Sequence, residues 1–301
     1  MTTWEPVDIY AQDPKHKLAV LHLSEALYRG ELALLLGSGV SVAFGLPGWV
    51  DLVHRCLDTR NMDKSRVTNG SAFEVMTSVI GQLRTTINDD GEYLRVVKKA
   101  LYQTATDRAS AAPSDLLIAM GALLMGSRRG KIREVWSLNF DDLLEWHLRI
   151  HGFVSQIVTE VPTVLRDVDV VAFHPHGFLP LDTDIFHDSK SIVFDDKTYA
   201  KRFVGTDPWR DAFDYALKTR IFIALGLSWG DQIVKNLVIN AADSNKERPT
   251  AFWFFKDSAE NRLAAEECLR HNVVPIVLKE YSDYSPFLLN ICKTAMDKIA
   301  F

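Results

Sequence analysis

Six short apolar runs, each stopping at a polar or glycine-marked turn, constrain this chain more than any other feature. They occupy residues 31–36, 134–138, 169–173, 220–225, 250–255 and 273–278. Runs this short and this continuously apolar read as strands buried on both faces. Residues 191–194 read as a further small strand. Helix-like periodicity fills the intervals at 15–28, 141–150, 207–218, 232–241, 259–270 and 286–299. Gly30 stands where the first of these helices ends, and Pro208 stands in the first turn of the fourth-last. Between the first and second runs no strand pattern occurs. Helices are expected there at 49–57, 71–84, 93–104 and 114–125, with Ser71 and Ser114 as starting residues. Strands alternating with helices give an α/β fold: a Rossmann-like, mostly parallel sheet with helices on both faces. Residues 1–301 are read as one domain with a helical insertion at about 50–130, since one domain of this size is common for such folds.

Composition excludes several classes. Charged residues make up 24% of the chain and hydrophobic ones 47%, which is ordinary for a globular protein. The formal charge is −5, so no basic surface for direct nucleic-acid binding is expected. No apolar run is long enough to span a bilayer, and the polar start lacks the pattern of a signal peptide. Cys56, Cys268 and Cys292 are scattered, odd in number and without a C-x-x-C. They read as spectator thiols in a reducing, cytoplasmic setting, with neither a disulfide framework nor a structural zinc.

In open parallel sheets ligands lie beyond the carboxyl ends of the strands. Each chemically suggestive motif of this chain falls at such an end. Gly37-Ser38-Gly39-Val40-Ser41 follows the first strand, where glycines let the backbone approach a phosphate; a tight turn without a ligand fits the same residues. The dehydrogenase fingerprint has a third glycine where this chain has Val42. Phe44-Gly45-Leu46-Pro47-Gly48-Trp49 reads either as a loop covering a ligand or as an ordinary connection. Asn139 and Asp141 follow the second strand. An amide there can hold a water or sugar hydroxyl, and a carboxylate can accept from an amide; both also suit a helix cap. His174-Pro175-His176-Gly177 places an imidazole where general-base work near neutral pH is possible, or where a structural histidine would sit. The 174/176 pair has no cysteine near it, and no metal is expected. Gly226-Leu227-Ser228 opens the turn after the fourth strand, with Asp231 as the cap of the next helix.

Taken in order, these blocks resemble the sirtuin superfamily, and most closely the bacterial sirtuin-like domains of antiviral defence. The resemblance runs over about residues 17–280 through short blocks only. It implies an NAD+ glycohydrolase that cleaves the nicotinamide–ribose bond to ADP-ribose and nicotinamide and depletes NAD during phage infection. Gly37, Ser38, Gly39 and Ser41 would line the pyrophosphate and ribose, and Pro47 would lie in the covering loop. Asn139 and His176 would be catalytic, Asp141 would hold the nicotinamide carboxamide, and Gly226 and Ser228 would bind the adenosine half. The resemblance also implies a homo-oligomer, and as partner a hexameric HerA-type ATPase or another defence protein. Deacetylating sirtuins have Gln where this chain has Leu138, and carry a four-cysteine zinc ribbon that three cysteines cannot build. A zinc-free deacylase, an ADP-ribosyltransferase and a non-enzymatic NAD or ADP-ribose sensor are the competing readings.

Overall fold

A computed structural model describes residues 7–8, 14–68, 73–104, 112–125, 131–184, 186–203, 207–244 and 247–297. The chain begins with β1 (Val7–Asp8), α1 (Pro14–Arg29) and β2 (Leu32–Leu36), then enters α2 (Trp49–Asp58), α3 (Phe73–Ile87), α4 (Asp90–Leu101) and α5 (Asp115–Leu124). It continues through β3 (Glu134–Ser137), α6 (Leu143–Ile150), β4 (Ser155–Val158), β5 (Val170–Phe173), α7 (Asp196–Phe203), α8 (Pro208–Thr219) and β6 (Ile221–Leu225). The last elements are α9 (Gln232–Ser244), β7 (Ala251–Lys256), α10 (Ala259–Arg270), β8 (Val273–Leu278) and α11 (Tyr284–Asp297).

All eight strands join one sheet in the order β1-β8-β7-β6-β2-β3-β5-β4, and every pairing is parallel. From β2 the chain moves outward to β3 and on to β4 at the edge, fills the place between them with β5, and then returns to lay β6, β7 and β8 on the other side. The order reverses between β2 and β6, which makes that crevice the switch point where α/β sheets bind ligands.

Strand alternation divides the interior in two. Leu32, Leu34 and Leu36 of β2 join a hydrophobic cluster with α1, α5 and α11. Ala33 and Leu35 of the same strand face a second cluster, built with Phe213 of α8, Val238 of α9 and Cys268 of α10. Every residue of β2 is buried, and each buried leucine is worth about 1.5–3 kcal/mol. Cys56, Ile80, Val97 and Met120, from α2 to α5, lie in the same cluster as Leu34. The inserted helices therefore share the core of the sheet.

Local chemistry sets the boundaries. α1 stops at Gly30, whose φ of +70° suits glycine. Ser114 caps α5 through the Leu117 N–H, and Asp207 caps α8 just ahead of Pro208. Ser71 lies outside the described residues.

Four elements depart from the sequence reading. Residues 191–194 are not a strand. Ile192, Val193 and Phe194 are buried, which explains the apolar run, but the segment reaches the turn beyond β5 through a Val193 N–H to the His176 carbonyl rather than joining the ladder. β1 and β4 add to the two edges of the sheet. The helix α7 arises from the polar stretch Asp-Lys-Thr-Tyr-Ala-Lys-Arg-Phe. Among the described residues no helix is long and apolar enough to cross a membrane.

Candidate active site

The turns after β2 and β6 meet backbone to backbone. The N–H of Gly37 donates to the Leu225 carbonyl, and that of Gly39 to the Gly226 carbonyl, each at 3.0 Å. Gly226 has a φ of +66°, and a Cβ there would stand 2.5 Å from the Val40 nitrogen. A Cβ on Gly37 would meet Leu227 at 2.4 Å, and one on Gly39 would meet the Gly226 Cα at 2.8 Å. These glycines are thus required first by the approach of two turns of the same chain. Beyond Gly37 the backbone enters two short 3₁₀ turns, Ser38–Val40 and Val42–Phe44, rather than a long helix.

The turn after β3 docks onto this pair. Asn139 Nδ2 donates to the Gly37 carbonyl at 3.0 Å and lies 3.4 Å from Ser41 Oγ. Ser41 Oγ in turn lies 3.0 and 3.2 Å from the two carboxylate oxygens of Asp141. Asp141 also accepts the N–H of Leu143, the first residue of α6, at 3.1 Å. It therefore serves the helix start as well as the site. Burial, with the neighbouring charges of Glu145 and Asp142, raises its carboxyl to about 6 against hydrogen bonds from Leu143 and Ser41. Tyr102, the residue that follows α4, brings its hydroxyl within 3.1 Å of Asp142 and 2.8 Å of the Leu179 carbonyl. The inserted helices so reach the floor of the site.

The turn after β5 supplies two histidines with opposite surroundings. His176 Nδ1 lies 3.2 Å from the Leu138 carbonyl, an acceptor, so Nδ1 carries the proton and Nε2 the lone pair. Burial pushes its pKa down to about 3, with the charge of Arg202 adding to the effect and the Leu138 carbonyl opposing it. His174 is also buried, but its Nε2 faces Glu145 Oε1 at 3.0 Å and its Nδ1 the Asn139 carbonyl at 3.1 Å. Burial opposes its positive charge; the Glu145 carboxylate and the carbonyl outweigh that and raise its pKa.

Helix α7 covers this turn. The Tyr199 ring packs 5.0 Å from the His176 ring, and its hydroxyl donates to Asp231. Asp231 caps α9 through the N–H groups of Ile233 and Val234. Trp49, Phe140 and Phe194 form an aromatic cluster beside it, with Trp49 edge-on to Phe194 at 4.9 Å.

The structure thus gathers Gly37, Gly39, Ser41, Asn139, Asp141 and Gly226 into one contact network at the switch point, with His176 joined to it through the Leu138 carbonyl. Ser38 is half-buried, and Ser228 is exposed on the β6 turn. Pro47 is buried ahead of α2. Among the described residues no three His, Cys, Asp or Glu side chains come together as a metal would need. Cys56 and Cys268 are buried, and Cys292 is half-buried.

A SIR2-like domain model matches residues 133–276. Over these residues the chain is similar to SIR2-like domains. The match takes in Asn139, Asp141, His176, Gly226 and Ser228, and the geometry above adds the glycine turn of β2 to them. The chain is also 20% identical over 317 aligned positions to the NAD(+) hydrolase ThsA of Enterococcus faecium. That alignment covers 95% of this chain and 60% of the relative's length.

Sequence reasoning missed Glu145, Tyr199 and Tyr102. Glu145 had a signal: it stands four residues after Asp141, on the face of a helix that otherwise presents Leu144 and Leu148 to the core. Tyr199 had none, because its helix is polar and its partner Asp231 lies more than thirty residues away.

Proposed function

We propose that this sirtuin-like chain is an NAD+ glycohydrolase that splits the nicotinamide–ribose bond. The observation that carries this reading is the contact of Asn139 with Gly37 and Ser41, about a hundred residues earlier in the chain, at the switch point of the sheet. The matched domain and the name of the relative from Enterococcus faecium support the same chemistry. Residues 1–301 act as a single NAD-binding unit in this reading, with the inserted helices as its wall.

In the proposed mechanism the turns at Gly37–Ser41 and Gly226–Ser228 take the pyrophosphate and the adenosine half. The loop at Pro47 covers the ligand. Asp141, ionised, accepts the N–H of the nicotinamide carboxamide. Asn139 turns its amide toward the ribose and a water. Water attacks C1′ of the ribose, and the glycosidic bond breaks with its electron pair going to the nicotinamide nitrogen. That neutralises the pyridinium, so the leaving group departs without protonation. Nε2 of His176, kept neutral by burial, accepts the water's hydrogen bond and aims its oxygen at C1′, and the proton is released to solvent. The phosphates stabilise the oxocarbenium-like charge through space.

Chromatography of NAD incubated with the purified chain, residues 1–301, tests this. Equal amounts of nicotinamide and ADP-ribose are expected. Product only with an acylated peptide, or ADP-ribose attached to a protein, would assign the site to a deacylase or a transferase. Tight binding of intact NAD with no product would make the chain a sensor. The antiphage role, homo-oligomeric state and HerA-type ATPase partner rest on the resemblance in sequence, and cytoplasmic residence on the scattered cysteines; the last is tested by locating the chain in fractionated cells. Repeating the assay with the ATPase present, and measuring mass in solution by light scattering, tests the partner and the oligomeric state.

A further inference from the structure

His174 and Glu145 form a buried pair that the mechanism above does not use. His174 is wholly buried and Glu145 is nearly so. The two ring nitrogens of His174 face a carboxylate oxygen at 3.0 Å and a main-chain carbonyl at 3.1 Å. A carbonyl only accepts, and so does an ionised carboxylate. A neutral imidazole has one N–H and would leave one of these contacts oxygen against lone pair. The imidazolium has two and satisfies both. Its charge and that of Glu145 cancel inside the core, where either alone would be costly. The Phe178 ring packs 4.5 Å from the imidazole and restricts its tilt. Asp141 is the other acid whose charge reaches it.

The location of the pair gives it a task. Glu145 belongs to the first turn of α6, and His174 follows β5. The carbonyl that His174 holds belongs to Asn139, whose side chain reaches Gly37. Three elements are tied at Asn139, which joins the β3 turn to the β2 turn. We propose that Glu145 and His174 are positioning residues: a buried ion pair whose imidazolium grips the Asn139 carbonyl and so sets where the Asn139 amide and the Asp141 carboxylate stand. This rests on the reading of Asn139 as part of the catalytic site, and the pair itself touches no substrate.

Nitrogen-resolved NMR of the histidine side chains in the intact wild-type chain tests the pair without any turnover. His174 is expected to be doubly protonated at pH 7, and His176 protonated on Nδ1 alone. The side-chain amide signals of Asn139 should move in His174→Gln. A neutral His174 at pH 7, or unmoved Asn139 signals, overturns the proposal. Kinetics supply the second arm. Glu145→Gln and His174→Ala should lower kcat by about 100-fold, as small misplacements of catalytic groups do, with little change in Kd for NAD. His174→Gln keeps an N–H for the carbonyl and should recover part of the loss. A folded Glu145→Gln with wild-type kcat, or equal losses in both His174 variants together with lost NAD binding, contradicts positioning. If the wild-type chain cleaves no NAD, the enzymatic reading fails, and the NMR arm still decides the pair.

Discussion

Gly226 and Asp141 show how single residues set the terms of this site. At Gly226 the left-handed backbone and the 2.5 Å approach of Val40 act together. Gly226→Ala should therefore lose at least about 1–3 kcal/mol of stability, read by denaturant unfolding, and lose NAD binding with it. Asp141 carries a pH dependence. Its carboxyl is raised to about 6 by burial and the nearby acids, so it is ionised above that pH and neutral below. If its carboxylate holds the nicotinamide amide, NAD affinity should rise as pH climbs through about 6. Stability should move the other way. A carboxyl raised above its unfolded value of 3.8 stabilises the fold below that value and loses the contribution as pH rises through about 6. Asp141→Asn should flatten both slopes; calorimetric titration and thermal melts at several pH values will show whether it does. That Asn139, Asp141 and His176 lie on neighbouring turns could be read from the sequence, because each falls within three residues of the end of an apolar run. Glu145 was hard to see, because a buried acid inside an amphipathic helix looks like an exposed one until its partner is known.

At the scale of elements, legibility followed burial. β2, β5 and β6 lie inside the sheet, covered on both faces, so their residues are continuously apolar, and β3 holds Val135 and Trp136 between Glu134 and Ser137; the ends of all four could be read to within a residue or two. β1 is two residues long, and β4 carries the half-buried Ser155, Gln156 and Ile157 at an edge, so neither announces itself. The helix α7 was unreadable for another reason. Its contribution is made through Tyr199, and no periodicity rests on one residue. Tyr199 nonetheless ties α7 to the start of α9 through Asp231 while covering His176. Tyr199→Phe keeps the ring and removes the hydroxyl. It should cost about 1.5–3 kcal/mol, the range for a hydrogen bond to a charged group, seen as a lower Tm. An unchanged Tm would mean that the hydroxyl contributes nothing to holding the two helices.

Across the whole molecule, the order of strands and the sharing of one core decide what depends on what. The helices between β2 and β3 are an insertion in sequence but not a separable module, since they complete the hydrophobic cluster on one face of β2. Removing residues 49–125 should leave a chain that does not fold, with no cooperative melt by circular dichroism; a stable, cooperatively folding remainder would show the insertion to be dispensable. The same architecture brings turns from four strands to one edge, and the proposed chemistry depends on that meeting. The most direct measurement compares NAD cleavage and NAD binding in the wild-type chain, Asn139→Ala and His176→Ala, each confirmed folded. The expected result is retained binding with turnover lowered by orders of magnitude in both variants. Wild-type turnover in either folded variant would contradict the account.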